Sequence, residues 1–257
     1  MHNSRMLKIL VVAIAVVSVS SCAGTPTVCS SGDANSDSVE NILKGLQDAA
    51  SRLQSYQCKV EYLFSQPVLE SKTLRTGTLQ YARFGGSSKL RIDFDTLTQD
   101  DGPQQKYVEC YIFDGQWLTH IDYQIKQVQK RQLAEANEPI DAFELAKRNF
   151  PIIGFSKTDD LKKEFEVSQI GEPNGLINLH LKAKPNSQYK DDYKSVEIWI
   201  DKGLMLPAKL TAVSTEDDIY EISFVTPKVN ELIDEKVFEV TIPPGFGKPE
   251  IIPLKVD

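Results

Sequence analysis

The chain has 257 residues, of which 41% are hydrophobic and 25% are charged, and its formal net charge is −7. This is the composition of an ordinary globular protein with enough apolar residues for a substantial core. The acidic balance argues against a nucleic-acid-binding protein and against electrostatic adhesion to anionic lipid. Any contact with a membrane is therefore expected to depend on apolar groups or on a covalently attached lipid.

Residues 1–22 have the three-part layout of a secretory signal peptide. Basic residues open the segment, residues 6–17 are almost wholly apolar, and small residues precede Cys22. The apolar run is shorter than the ~20 residues that a membrane-spanning helix needs. The ending Val-Ser-Ser-Cys looks like a bacterial lipobox, which predicts that Cys22 is lipidated and anchors the mature chain. The alternative is ordinary cleavage near Ser21, which would leave a free cysteine.

The remainder of the chain is predicted to be a tether followed by one domain. Residues 23–36 are small and polar, without an apolar period, and are predicted to be a flexible tether. No linker divides residues 37–257, which predicts a single domain. It opens with an amphipathic helix over residues 38–54, with Asp37 as the N-cap and Glu40 completing a capping box.

After this helix the apolar residues recur with a period of two, which indicates β-strands. The runs with this period are residues 57–65, 73–83, 90–94, 106–113, 117–123, 124–133, 165–170, 177–183, 194–201, 208–214 and 220–226. A further extended piece is predicted over Val237–Ile242. Asp114-Gly115 predicts a tight turn between two strands, and a short helix is predicted over Pro139–Asn149, ended by Pro151.

The connections are short and strands do not alternate with helices, which favours antiparallel pairing of strands that follow one another in the chain. The fold class is therefore predicted to be mainly β (α+β), with one antiparallel sheet of about eleven strands that is strongly curled or closed.

The cysteines and histidines do not predict a metal site. The cysteine spacings are wide and no Cys-x-x-Cys is present, while His120 and His180 are isolated within strands, where surface or packing roles are expected. Two interpretations of Cys58 and Cys110 stay open: a disulfide, which an exported chain can hold, or two small buried residues.

No catalytic motif is found either. The sequence has no His-Glu-x-x-His, no Gly-x-Ser-x-Gly and no phosphate-binding glycine loop. Its paired acids fall between predicted elements and indicate solvated loops. The sequence therefore predicts no enzyme, no metal and no cofactor.

Aromatic residues concentrate in the first half of the predicted sheet. A sheet curled from this many strands encloses more volume than its own side chains readily fill. Either helices fill the groove as ordinary core, or the groove stays partly open for an apolar ligand. In the second case the predicted acyl-chain-binding residues are Val60, Tyr62, Phe64, Leu79, Tyr81, Ile92, Phe94 and Trp117.

These features together resemble the bacterial lipoprotein carriers LolA and LolB and their wider relatives. The segments that match the family in order are Leu46–Leu53, Lys59–Gln66, Gly77–Arg83, the hairpin Phe113–Trp117 and the ending Val237–Gly245. The resemblance implies a half-open barrel of about eleven antiparallel strands, an N-terminal helix, and a lid helix at Pro139–Asn149. It also implies that the concave side binds the acyl chains of lipoproteins.

The resemblance further implies that Arg83 holds the lid closed, with Ile140 and Phe143 as lid contacts. The other interpretation of Arg83 is a strand-end arginine in solvent. The family arginine is usually followed by proline, whereas Phe84 follows here.

The predicted function is a monomeric protein of the bacterial envelope that binds lipid or lipoprotein acyl chains while facing the periplasm. The lipid anchor favours a receiving protein at the outer membrane, in lipoprotein sorting, over a free shuttle. The alternative is a lipidated scaffold or envelope-stress sensor that recognises a partner protein, since one fold serves several functions.

Overall fold

The protein is described here from a computed structural model, which covers residues 34–85, 87–135, 137–142 and 158–254. Within these ranges twelve strands form one sheet in the order β12-β6-β5-β4-β3-β2-β1-β11-β10-β9-β8-β7. The strands are β1 Ser55–Gln66, β2 Ser71–Phe84, β3 Ser87–Gln99, β4 Gln105–Phe113, β5 Trp117–Asp122, β6 Gln127–Gln132, β7 Phe165–Gly171, β8 Leu176–Ala183, β9 Tyr193–Asp201, β10 Leu206–Ser214, β11 Ile219–Val229 and β12 Glu250–Ile252. Helix α1 spans Ala34–Ser51 and helix α2 spans Thr158–Glu164.

The sheet is open, with β7 and β12 at its two edges. Every neighbouring pair is antiparallel except β12 and β6, which are parallel. Strand β1 lies between β2 and β11, so the two halves of the chain join at the middle of the sheet. The predicted half-open, mainly antiparallel architecture is confirmed, and all eleven strands predicted from the two-residue period are present.

One face of the sheet, here called the concave face, carries the main core and α1. Side chains alternate between faces along a strand, so residues opposite one another in register share a face. Cys58 lies opposite Leu79, Leu79 opposite Ile92, and Ile92 opposite Tyr111. These four residues belong to a single buried cluster that continues across β11, β10, β9 and β8.

The opposite, convex face carries a smaller buried cluster under the C-terminal segment. Its members are Cys110, Ile112, Ile121 and Val128, with Val240 and Phe246 packed against them. The extended piece predicted over Val237–Ile242 forms no strand of the sheet. This stretch begins with a 3-10 turn, Glu235–Phe238, and then crosses the convex face because its apolar side chains cover that cluster. It leads to β12, which was not predicted.

The disulfide interpretation of Cys58 and Cys110 is wrong, because both are free and buried. Cys58 is on the concave face and Cys110 on the convex face, in strands three positions apart in the sheet. Three strand spacings amount to ~14 Å, which a disulfide cannot bridge. Burial raises the pKa of both thiols, that of Cys58 to about 12, so both residues act as small apolar side chains.

Helix α1 differs from its prediction at both ends. It begins at Ala34 and ends at Ser51, so Asp37 lies inside the helix rather than at its N-cap, and residues 34–36 belong to the helix rather than to the tether. The predicted apolar stripe is present, with Val39, Ile42, Leu43, Leu46 and Ala50 packed in the core or against it. Helix α2 was not predicted.

Several sequence predictions lie outside the described residues. These are the signal peptide with Cys22, the first part of the tether, and residues 143–149 of the predicted lid helix, including Phe143. Among the helices that the structure describes, none has both the length and the apolar character needed to cross a bilayer.

Candidate functional site

The predicted acyl-chain-binding residues, except Trp117, lie together on the concave face. Val60, Tyr62, Leu79, Tyr81, Ile92 and Phe94 are members of the main buried cluster, and Phe64 packs against it. Phe64 also stacks on Tyr220 of β11, with ring centroids 5.0 Å apart. The alternation of apolar residues along β1, β2 and β3 therefore gives a continuous apolar surface, here called the apolar lining.

Trp117 does not belong to the apolar lining, and its prediction as a lining residue is wrong. In the register of β4 and β5, Phe113 of the concave face lies opposite Leu118. Trp117, one residue earlier, therefore points to the convex face, where the Lys130 ammonium lies 5.5 Å from the centre of its ring. Leu118 takes the concave position that the sequence analysis gave to Trp117.

The apolar lining is covered by other parts of the chain. Phe94 and Tyr81 are 0% exposed, and Leu79 is 1% exposed. Helix α1 packs on β7 and β10, so it lies over the C-terminal half of the sheet. The sequence left two interpretations of the groove open. In the described structure the protein's own elements fill it.

A second cover lies over the N-terminal half of the sheet, formed by residues 139–142, here called the cover segment. The Ile140 amide donates a hydrogen bond to the Gly115 carbonyl (2.9 Å), and the Ala142 amide donates one to Ser88 Oγ (2.6 Å). Ile140 packs against the main cluster and Ala142 belongs to it. A few polar contacts thus hold the cover segment against the sheet.

Arg83, at the end of β2, also contacts the cover segment. Its Nη2 atom lies 3.6 Å from Asp141 Oδ2, and its Nε donates a hydrogen bond to the Tyr81 hydroxyl at 2.8 Å. The ion pair is partly exposed, since the two side chains are 26% and 30% accessible. This geometry brings together Arg83 and Ile140, two of the residues that the resemblance assigned to the lid.

The concave face becomes polar toward β4, β5 and β6. Glu109, which is only 3% exposed, forms an ion pair with Arg75 through its Oε2 atom at 3.2 Å. Its Oε1 accepts a hydrogen bond from the Tyr111 hydroxyl at 2.9 Å and lies 2.9 Å from His120 Nε2. The Arg75 guanidinium also lies over the Tyr107 ring, 4.8 Å from its centre.

These partners keep the buried Glu109 ionised. Burial by itself would raise the pKa of this carboxyl, but the hydrogen bond from His120 and the charge of Arg75 outweigh it and lower the pKa below its ordinary value. The His120 ring is held in turn by stacking on Tyr111, with centroids 4.3 Å apart. The polar end is therefore a fixed arrangement of charges.

A cavity of about 530 Å³ opens beside this network. Glu109, His120 and Asp122 line it from β4 and β5, and the C-terminal segment closes it with Lys248 and Glu250. The cavity is far more polar than the apolar lining, so the concave face has two chemically different regions.

Sequence reasoning missed this polar region because it considered His120 as an isolated residue and did not consider Glu109 or Asp122. One signal was present. Glu109 is on the same face of β4 as Tyr111 and Phe113, which points inward. An acidic residue buried at such a position requires a polar or charged partner. His120 and Asp122 are two residues apart and so share a face of β5.

One protein family matches this chain. The family model described as outer membrane lipoprotein carrier protein LolA matches residues 64–241. No curated protein sequence matches the chain.

Several solved structures are similar to this chain. An uncharacterized conserved protein from Thermus thermophilus is 11% identical, with a TM-score of 0.48 over 84% of this chain and 99% of that one. A chain of the Pseudomonas aeruginosa MucA/MucB complex is 15% identical, with a TM-score of 0.46 over 79% of this chain and 61% of that one. The Mycobacterium tuberculosis lipoprotein LppX is 10% identical, with a TM-score of 0.43 over 77% and 98% of the two chains.

The family match covers well over half of the 257 residues, including β2 to β11 in full. This chain therefore belongs to the LolA family of outer membrane lipoprotein carrier proteins.

Proposed function

We propose that this protein binds the acyl chains of lipids or lipoproteins against its concave face and takes part in lipoprotein sorting to the outer membrane. The observation that carries the proposal is the apolar lining, which faces helix α1 and a short cover segment instead of a second sheet. Family membership supports the same function. The protein acts as a monomer that binds without catalysis, and nucleic acid is not a partner.

The size of the apolar lining matters because an acyl chain strongly prefers a membrane to water. At ~0.8 kcal/mol per methylene, a sixteen-carbon chain carries roughly 12 kcal/mol of this preference. A few polar contacts cannot offset such a cost, so the protein must offer an apolar surface nearly as favourable as the bilayer. The free energy of moving an acyl chain from the membrane to the protein is then close to zero, and small differences in affinity set the direction of transfer.

Binding requires the cover segment to move, because the apolar lining is buried when it is in place. The contacts that hold it include the Ser88 and Gly115 hydrogen bonds, the partly exposed Arg83–Asp141 pair and the packing of Ile140 and Ala142 on the main cluster. A partly exposed ion pair contributes only ~0.5–1 kcal/mol, so the Arg83–Asp141 pair by itself does little to prevent opening. When no lipid is bound, the closed state keeps a large apolar patch away from water.

A disulfide between Ser88→Cys and Ala142→Cys is expected to lock the cover segment and weaken acyl-chain binding at least tenfold. The 2.6 Å hydrogen bond between Ser88 Oγ and the Ala142 amide keeps the two Cα atoms within roughly 6.5 Å, which suits a disulfide. Binding of a fluorescent fatty acid is measured with the oxidised and the reduced protein, in a Cys29→Ser background. Reduction should restore the affinity.

The two single-cysteine variants are the matched controls for this experiment, because neither can form the cross-link. They should bind the probe equally well with and without reductant. Full binding by the cross-linked protein would show that the cover segment is not the gate. Failure of every form to bind would contradict acyl-chain binding itself.

We also propose that lipidated Cys22 anchors the protein to a membrane of the envelope, with the outer membrane favoured and the folded domain facing the periplasm. The lipobox-like ending before Cys22 supports this. The Cys22→Ser variant is then expected to move from the membrane fraction to the soluble fraction. Its continued recovery with membranes after a high-salt wash would contradict the anchor.

The covered groove also supports a second candidate function, that of a lipidated scaffold or envelope-stress sensor that recognises a partner protein. In the described structure the groove is already filled, and β7 leaves an unpaired edge that a partner strand can extend. A purified complex with one protein and no lipid would favour this candidate.

A further inference from the structure

We propose that Glu109, His120 and Asp122 form a binding site for a divalent transition-metal ion, with Zn²⁺ as the best match, at the polar end of the concave face. This site is distinct from the apolar lining, and its existence does not depend on acyl-chain binding.

The three residues are placed together by the register of β4 and β5. Glu109 lies opposite Asp122, and Tyr111 lies opposite His120. One potential ligand atom from each of Glu109, His120 and Asp122 lies within 4.8 Å of the others. Bonds of about 2.0–2.2 Å to a tetrahedral Zn²⁺ place ligand atoms roughly 3.3–3.6 Å apart. An ion would replace the 2.9 Å contact between His120 Nε2 and Glu109 Oε1, and small side-chain rotations would bring Asp122 to it.

The charge arrangement supports a bound cation. Glu109 and Asp122 are 3% and 8% exposed and lie directly opposite each other, where like charges are unfavourable. Arg75 faces Oε2 of Glu109 and offsets one of the two negative charges. A divalent ion between the carboxylates would offset the other.

Asp122 is held in a position where one of its carboxylate oxygens is available to an ion. Its Oδ1 atom accepts hydrogen bonds from the amides of Gln124 (2.8 Å) and Ile125 (3.3 Å). These two bonds fix the carboxylate at the start of the β5–β6 turn. In the part of the chain that the structure describes, no protein donor reaches the other oxygen, although this buried side chain lines the cavity.

The neighbouring residues suit a metal site as well. The Tyr111 hydroxyl and Arg75 both hydrogen-bond to Glu109, and such partners orient a ligand and hold it ionised. One imidazole and two carboxylates are ligands that Zn²⁺ accepts. The adjoining cavity of about 530 Å³ leaves room for water or a polar ligand group at a fourth coordination position.

Zinc binding by the full-length protein tests the proposal directly. The protein is purified in detergent without a histidine tag, stripped with chelator and titrated with Zn²⁺, and binding is followed by calorimetry and by metal content after dialysis. We expect one Zn²⁺ per chain. The Asp122→Asn and His120→Gln variants should each bind at least tenfold more weakly.

The matched control is His180→Gln, which removes the histidine of β8 and should leave zinc affinity unchanged. His180 lies opposite Glu197 but outside the cluster. A thermal-unfolding readout accompanies each titration: zinc should raise the Tm of the wild type and of His180→Gln but not that of Asp122→Asn, whose fold is checked by circular dichroism. Zinc content near zero in the wild type, or equal affinity in all variants, would overturn the proposal.

Discussion

Replacing Gly77 with alanine is expected to destabilise the protein by about 3 kcal/mol or more, a large part of the ~5–15 kcal/mol that stabilises a typical domain. A Cβ atom at this position would lie 1.8 Å from the Asp93 carbonyl oxygen and 2.8 Å from the Phe94 Cα. Both are backbone atoms of β3, next to a register irregularity in the β2–β3 pair, so no side-chain rotation can relieve the clash. The two strands at the centre of the apolar lining would have to separate.

Gly247→Ala is the matched control for this prediction, because a Cβ at Gly247 meets no atom within 4 Å. Its effect should stay within ~0.5 kcal/mol. Denaturant unfolding followed by circular dichroism gives both free energies of unfolding. Equal unfolding midpoints for Gly77→Ala and the wild type would show that the close approach of β2 to β3 is wrong.

Replacing Arg75 with methionine is expected to cost roughly 3–5 kcal/mol of folding free energy. Arg75 is 9% exposed and its partner Glu109 is 3% exposed, so the substitution leaves a carboxylate buried without its main counter-charge. The double variant Arg75→Met/Glu109→Gln should recover most of the loss, because it removes both charges together. Effects of the two substitutions on the unfolding free energy that do not add indicate that the two residues interact directly.

An exposed ion pair supplies the comparison for this experiment. Lys89 Nζ lies 2.7 Å from Glu235, whose side chain is 57% exposed, and Lys89→Met should cost ~1 kcal/mol or less. Unfolding free energies of these variants are compared with that of the wild type. A small effect of Arg75→Met, or no recovery in the double variant, would contradict the buried network.

The strands were predictable because burial on one face imposes a two-residue period on each of them. In β1 the inward residues Cys58, Val60 and Tyr62 are buried, and the residues between them are polar or less apolar. The same reasoning failed for Trp117, because its strand is short. The face to which Trp117 points is set by the pairing of β5 with β4 across the Asp114-Gly115 turn. An aromatic residue in a strand does not by itself indicate the face to which it points.

Features that depend on distant contacts were not predictable from local pattern. Strand β12 has three residues, Glu250–Ile252, and pairs with β6 because Val240 and Phe246 bring the C-terminal segment onto the convex face. The Arg75–Glu109 pair joins residues on β2 and β4, so its partners become evident only once the strand order is known. The two-residue period shows that Glu109 points inward and needs a partner, but it does not identify Arg75, and it gives no signal of β12.

Photolabelling with a fatty acid tests the central claim, that acyl chains bind against the concave face, most directly. The Cys22→Ser protein is irradiated with a palmitic acid analogue that carries a diazirine near the chain end, and modified residues are mapped by tandem mass spectrometry. The labels should fall on inward residues such as Val60, Leu79 and Ile92, and excess palmitate should remove them. Labels confined to the convex cluster around Ile112 and Ile121, or no competable labels, would contradict the proposed function.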